Sequence, residues 1–274
     1  MTTRARTATP TYDHLEVDRP GNGIVLLTLS RPERLNALTF DMFAGLREFC
    51  NDVAEDDAAR VVVLTGAGRA FCAGLDLDDA ATLPKMTTAE MVRGQDLWAD
   101  AITAFRRIPQ PVVAAVNGAA AGAGFSLALA ADVRLASPAA RFNAAFVKIG
   151  LTGGDCGSSW ALPRLVGLGH ASEILLTGRM VEAEEAVRIG LVNRVVSSEE
   201  LLPAALDLAA LIAGNSPLGV RLTKQVVQAN VDATSLQQAV ELENRGQVLT
   251  SRTEDMAEAL NAFREKRLPV YTGC

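Results

Sequence analysis

The stretch that most constrains this chain runs from Asn117 to Asp132, NGAAAGAGFSLALAAD. It follows an apolar run, Pro111 to Val116, that reads as a short buried strand. The small residues from Gly118 to Gly124 allow a tight turn and close approach of backbone to backbone. Phe125 to Ala131 is nearly all apolar and suits a buried helix. Strand, small-residue turn and helix opening together aim free backbone N–H groups at an anion or a developing oxyanion. The same residues also describe a Gly/Ala-rich helix packed tightly for steric reasons. A second Gly-rich stretch after a buried strand, GAGRAFCAGLDL, favours the first reading.

Composition sets the frame around these two stretches. The chain has 274 residues, 49% apolar and 21% charged, enough for a sizeable core. A net charge of −6 argues against a general nucleic-acid binder and leaves room for a local basic pocket. No apolar run reaches membrane-spanning length, so no membrane partner is expected. The N-terminus, MTTRARTATPT, has no apolar core and reads as a loose tail over residues 1–11 rather than a signal peptide. Cys50, Cys72, Cys156 and Cys274 have no metal-like spacing, and a reduced cytoplasm fits them best. His14 and His170 stand apart without a ligand cluster and read as structural.

Taken in order, Tyr12 to Asp18 reads as an edge strand and Ile24 to Leu29 as a strong one, joined by the turn signal Gly21-Asn22-Gly23. Thr39 is a plausible N-cap for a helix ending near Glu55. Val61 to Thr65 is a β-branched strand, and Gly66 to Gly74 reads as a loop. A long helix is expected from Ala80 to Ile108, stopped by Pro109 and Pro111, with Met91, Leu97, Ile102 and Phe105 inward. Val133 to Ala136 is a further strand. The Gly-rich segment from Arg141 to Gly157 reads as irregular, and a loop of that length in a compact domain is usually functional. Helices are expected at Ser158–Leu165, Gly169–Leu176 and Ala183–Ile189, a late strand at Leu191–Val196, and four more helices between Ser198 and Glu265. The pattern is α/β, with a core over residues 12–197 and a helical C-terminal region over 198–274.

The segment GAGRAFCAGLDLDD resembles the first oxyanion-hole segment of the crotonase superfamily, the enoyl-CoA hydratase/isomerase family. AAVNGAAAGAGFSLALAADVRLAS resembles the second. SRPERLNAL, GLGHASEILLTGRMVEAEEAVRIGLVNRVV and ALNAFREKRLPVYTG extend the resemblance from about Leu15 to Gly273. The resemblance implies a spiral ββα fold and a homotrimer or hexamer. It also implies an acyl-CoA substrate, with coenzyme A present only as the thioester and no tightly bound cofactor. The thioester carbonyl would lie between the N–H groups of Leu75 and Ala123. Such donors stabilise an enolate oxyanion by about 3–4 kcal/mol each. Coenzyme A would follow the loop from Arg31 to Ala37, with Ala73 and Leu77 lining the adenine pocket. Arg31 and Arg34 would meet phosphates, or else be solvated loop charges. Phe263 and Lys266 match the C-terminal helix that closes the site, often from a neighbouring subunit; Phe263 equally fits a helix-face core residue.

At the catalytic positions the chain departs from the pattern. The two glutamates of the family's hydratases fall on Ser126 and Phe146. Serine is a poor base without an activator, and phenylalanine has no proton to exchange. Asp155, in LTGGDCGSSW, remains in the region where some members place an active aspartate, reached here by a one-residue insertion. It reads either as a proton shuttle at carbon or as the N-cap of the next helix. Capping or solvation fits Asp76 and Asp78, a structural role fits Asp132, and packing fits Cys72 and Cys156. The resemblance therefore implies an acyl-CoA enzyme that would be classed as an enoyl-CoA hydratase. Its chemistry should need at most one carboxylate, such as double-bond isomerisation. The rival is a catalytically silent acyl-CoA binding protein.

Overall fold

The computed structural model describes residues 11–273; the tail expected over residues 1–11 lies outside them apart from Thr11. Leu15–Gly21 (β1) and Ile24–Leu29 (β2) form an antiparallel hairpin at the edge of the main sheet. Asn22 and Gly23 turn it with φ of 54° and 74°, the paired positive values that match the twist of the flanking strands. Val61–Gly66 (β3), Val112–Val116 (β5), Val133–Ala136 (β7) and Arg194–Val195 (β10) follow β2 in parallel. Between and after them, Ala70–Cys72 (β4), Ala119–Ala121 (β6), Arg141–Asn143 (β8) and Val181–Glu182 (β9) form a second sheet in the order β4-β6-β8-β9. The segments expected to be loops at 66–74 and 141–157 therefore each contain a strand. Three-residue strands have no room for alternation, so their pattern is invisible in the sequence.

Both faces of the main sheet are covered, as a parallel sheet requires. Val62, Leu64, Leu27 and Leu29 point into the larger core. Against it pack Phe40–Ala54 (α1), Thr88–Arg107 (α3) and Ala123–Ala130 (α4). The alternate residues Val61, Val63, Val113 and Ala115 meet Ala205 and Ala209 of Leu201–Ala213 (α7) on the other face. The Thr39 hydroxyl accepts from Met42 N at 3.2 Å, giving α1 the cap that its sequence indicated. The helix expected from Ala80 to Ile108 is shorter. Leu77–Ala80 (α2) ends before Pro84, and α3 starts only at Thr88. Thr87 and Glu90 form a reciprocal capping box there, which sets a helix start that apolar periodicity misses.

Ser158–Thr177 (α5) breaks at Gly167, whose φ of 78° and ψ of 159° divide it where the sequence placed two helices. Ala183–Arg188 (α6) precedes β10. Pro217–Asn230 (α8), Leu236–Thr250 (α9) and Glu254–Glu265 (α10) complete the chain. Lys224 fixes α8 to the core: its buried ammonium lies 2.8 Å from Asp132 and donates to the carbonyls of Gln110 at 2.8 Å and Phe105 at 3.3 Å. Asp132 also accepts from Val112 N at 2.8 Å, the structural role expected of it. Among the described residues no single helix is long and apolar enough to cross a membrane.

Candidate active site

The site forms where the loop after β4 meets the start of α4. Asn36 brings the first loop into place. Its Oδ1 accepts from Arg31 N at 2.9 Å, and its Nδ2 donates to the carbonyls of Ala67 at 2.9 Å and Ala70 at 2.8 Å. Asn117 holds the same loop from the other side, donating to Gly66 O at 2.8 Å and Gly68 O at 2.9 Å. The sequence reading missed both. Leu35 and Asn36 have φ of 53° and 56°, and Asn is the residue that tolerates that region, but a lone Asn in a loop announces nothing.

Leu38 N donates to Gly74 O at 2.7 Å, and Asp76 N to Leu38 O at 2.8 Å. In a parallel bridge of this kind the central residue, Leu75, turns its own N–H to the opposite side. That side faces α4. Gly74 has φ +94°, and a Cβ there would lie 2.7 Å from Ala121 O and 3.4 Å from Ala123 N. Gly122 opens α4, and Ser126 N is the first to bond back to it, at 3.0 Å. Ala123 N is therefore one of the donors that a helix start leaves without an intrahelical acceptor. Gly124 sits so close to β4 that a Cβ would fall 2.2 Å from Cys72 O.

Leu75, Gly122 and Ala123 line a cavity of about 170 Å³ together with Phe146, Asp155 and Cys156. Trp98, Met91 and Phe43 make most of its wall apolar, and Leu77, 74% exposed, stands at its mouth with Ile149 and Leu151. Phe146 is buried in that wall. Ser126 is outside the cavity: 1% exposed, it donates its hydroxyl to Asp155 O at 3.0 Å. Asp155 does not cap α5. The N-cap is Gly157 in the left-handed region, and the Asp155 carboxylate instead accepts from Cys156 N at 2.8 Å and from Gln95 Nε2 of α3. Gln95 was not foreseen, since one Gln on an amphipathic helix carries no signal. Burial pushes the Cys72 thiol up to about 12, and burial followed by the Asp155 charge raises Cys156 as well. Neither thiol is a ready nucleophile.

Arg31 is not a solvated loop charge. Its guanidinium donates to Asp76 at 2.8 Å and to Ala37 O at 3.0 Å. Asp76 caps α2 through Asp78 N at 2.8 Å. Burial raises the Asp76 carboxyl, but Arg31, the Asp78 N–H and Arg34 outweigh that and hold it at about 2. Arg34 is more open and reaches Asp78 at 2.6 Å. Ala37 is buried beneath this pair, and Ala73 lines the cavity. Phe263 is 85% exposed on α10, which rules out the helix-face core reading, and Lys266 ends that helix in the left-handed region. Neither lines the cavity of its own chain. Among the described residues no group of three His, Cys, Asp or Glu side chains is placed to hold a metal.

Two sheets with crossover helices, and two small-residue turns converging on one apolar cavity, define an α/β protein of crotonase type. The family model described as Enoyl-CoA hydratase/isomerase matches residues 19–274. The chain belongs to the enoyl-CoA hydratase/isomerase family. It is 45% identical over 261 residues to "Probable enoyl-CoA hydratase echA12" of Mycobacterium bovis, covering 93% of this chain and 92% of the relative. It is 39% identical over 252 residues to the 1,2-epoxyphenylacetyl-CoA isomerase of Escherichia coli, covering 92% and 95%. The crystal structure of an enoyl-CoA hydratase from Bacillus anthracis superposes with a TM-score of 0.90 at 34% identity, covering 95% of this chain and all of that one.

Proposed function

We propose that this acyl-CoA-processing enzyme binds its thioester oxygen between the N–H groups of Leu75 and Ala123, and that Asp155 moves a proton along the acyl chain. The observation that carries this reading is the shared apolar cavity. Leu75, Ala123 and, among the described residues, the single carboxylate of Asp155 line it, while Ser126 and Phe146 bring no acid or base to it. Held donors in a water-poor site stabilise an enolate oxygen. Asp155, oriented by Gln95, takes a proton from one carbon of the acyl group and returns it to another. The net result is a shifted double bond. Hydration needs a second group to activate water at the β-carbon, and among the described residues no second carboxylate lines the cavity. The relatives are named for both hydratase and isomerase activities, so isomerisation lies within the range of their names.

In the same reading Arg34, freer than Arg31, meets a coenzyme A phosphate, and Ala73 and Leu77 border the adenine. Residues 198–274 form the assembly region, and Phe263 and Lys266 complete the site of a neighbouring copy in a homotrimer or hexamer. The test is exchange of the α-proton of a saturated acyl-CoA in deuterated water, beside hydration of crotonyl-CoA. Exchange with hydration at least about 10²-fold below a two-glutamate hydratase is expected. Binding without exchange would make the protein a silent acyl-CoA carrier, and efficient hydration would show that the catalytic positions are misplaced.

A further inference from the structure

A second cavity, of about 300 Å³, adjoins the first. Cys156 lines both. Beside it, Ser126 in the lining of the second donates its hydroxyl to the carbonyl of Asp155 in the lining of the first. Small or apolar residues, among them Leu129, Ala130 and Ala161, line most of the second space. In its lining the Trp160 ring carries two guanidinium groups, Arg106 at 4.5 Å and Arg164 at 4.0 Å from its centre. The two arginines differ in one respect. Arg164 is paired with Asp232 at 2.8 Å. Arg106 lines the cavity, and among the described residues its guanidinium has neither a carboxylate within salt-bridge distance nor a hydrogen-bond acceptor. Arg107, its neighbour in the cavity wall, is occupied by Asp100.

A guanidinium held over an indole keeps N–H donors that match a carboxylate in two-point contact. A cation in a largely apolar cavity lacks full hydration; the two carboxylates whose charge reaches Arg106, Asp132 and Asp232, are already paired with Lys224 and Arg164, which leaves room for an anionic occupant. An acyl chain that starts at the thioester and passes the short side chains of Ser126 and Cys156 would bring its far end here. We propose that the second cavity receives the end of the acyl group and that Arg106 selects chains ending in a carboxylate, so that ω-carboxyacyl-CoA thioesters are preferred substrates. This rests on the acyl-CoA reading of the first cavity.

The test is titration calorimetry with butyryl-CoA and with pairs of methyl-ended and carboxy-ended acyl-CoAs of equal, increasing length. At the length that spans both cavities the carboxy-ended member should bind about tenfold tighter than its methyl-ended partner. Arg106→Met should bring that ratio to one. Ala161→Phe, which takes up space in the second cavity, should weaken both long members relative to butyryl-CoA. It also keeps the test intact if the Arg106 variant fails to fold. Equal binding within every pair, or an unchanged ratio in Arg106→Met, would overturn the proposal while butyryl-CoA binding still upheld the first site. Failure to bind butyryl-CoA would bring down both.

Discussion

At the scale of single residues, the proposed site separates groups that would act on a ligand from groups that hold those groups still. Asp155→Asn keeps the acceptor for Gln95 Nε2 and for Cys156 N, so the loop should survive. We expect α-proton exchange to fall by about 10²–10⁴-fold with little change in acyl-CoA affinity or melting temperature. Asp76 belongs to the second kind. It is nearly enclosed beneath Arg31 and holds the loop that leads into Leu75. Its carboxyl titrates at about 2 in the folded protein against 3.8 normally. A depressed folded value stabilises the protein above pH 4, and the contribution is lost as pH falls through that interval. Asp76→Asn should therefore cost about 2–3 kcal/mol at neutral pH. Urea titrations repeated between neutral pH and acid should show the two proteins converging in that window.

At the scale of elements, two features set the geometry of the cavity: the start of α3, which carries Gln95, and the contact of α4 on β4. Thr87→Ala removes one half of the capping box and should cost about 1 kcal/mol, read as a lowered urea midpoint with an unchanged slope. Gly124→Ala forces a methyl against the Cys72 carbonyl and should destabilise by about 1–3 kcal/mol while abolishing acyl-CoA binding. Elements with a repeating pattern were legible from the sequence. The hairpin, the Thr39 cap, the buried β3 and β5 and the break at Gly167 all follow from periodicity or turn chemistry. The helix start at Thr87 was equally encoded, in Thr-x-x-Glu, but continuous apolar spacing from Ala80 hid it. The second sheet was not legible, because β4, β6 and β8 are three residues each, too short to show alternation. What defines them is their neighbours. The same holds for Asn36, Asn117 and Gln95, whose roles depend on carbonyls and a carboxylate far away in the chain. The turns that bear Leu75 and Ala123 were readable because close approach demands small residues locally.

At the scale of the whole molecule, α8 is locked to the core through Lys224 and Asp132, whereas α9 and α10 carry large apolar side chains in water. Leu236 is 81% exposed and Val248 62%, and Phe263 joins them on α10. Apolar area of this extent on one arm is characteristic of a surface that a partner covers. Light scattering should give a mass three or six times that of the 28.9 kDa chain. Leu236→Glu should shift that mass towards the monomer, and exchange activity should fall with it if the neighbour's α10 completes the site. A monomer of full activity would contradict the assembly reading.

The close contact of Gly124 with the Cys72 carbonyl also bears on how such a protein can change over time. The proposed oxyanion donors are main-chain atoms, so their positions depend on which glycines are kept and hardly at all on which side chains surround them. A saturation library scored for folding and ligand binding should then be sharply uneven. Positions 74 and 124 would accept almost nothing, whereas position 146, in the cavity wall, would accept many replacements. Reaction type can drift at that position without the scaffold being rebuilt. A lineage of such proteins would keep its grip on thioesters long after its members had parted in the chemistry they perform.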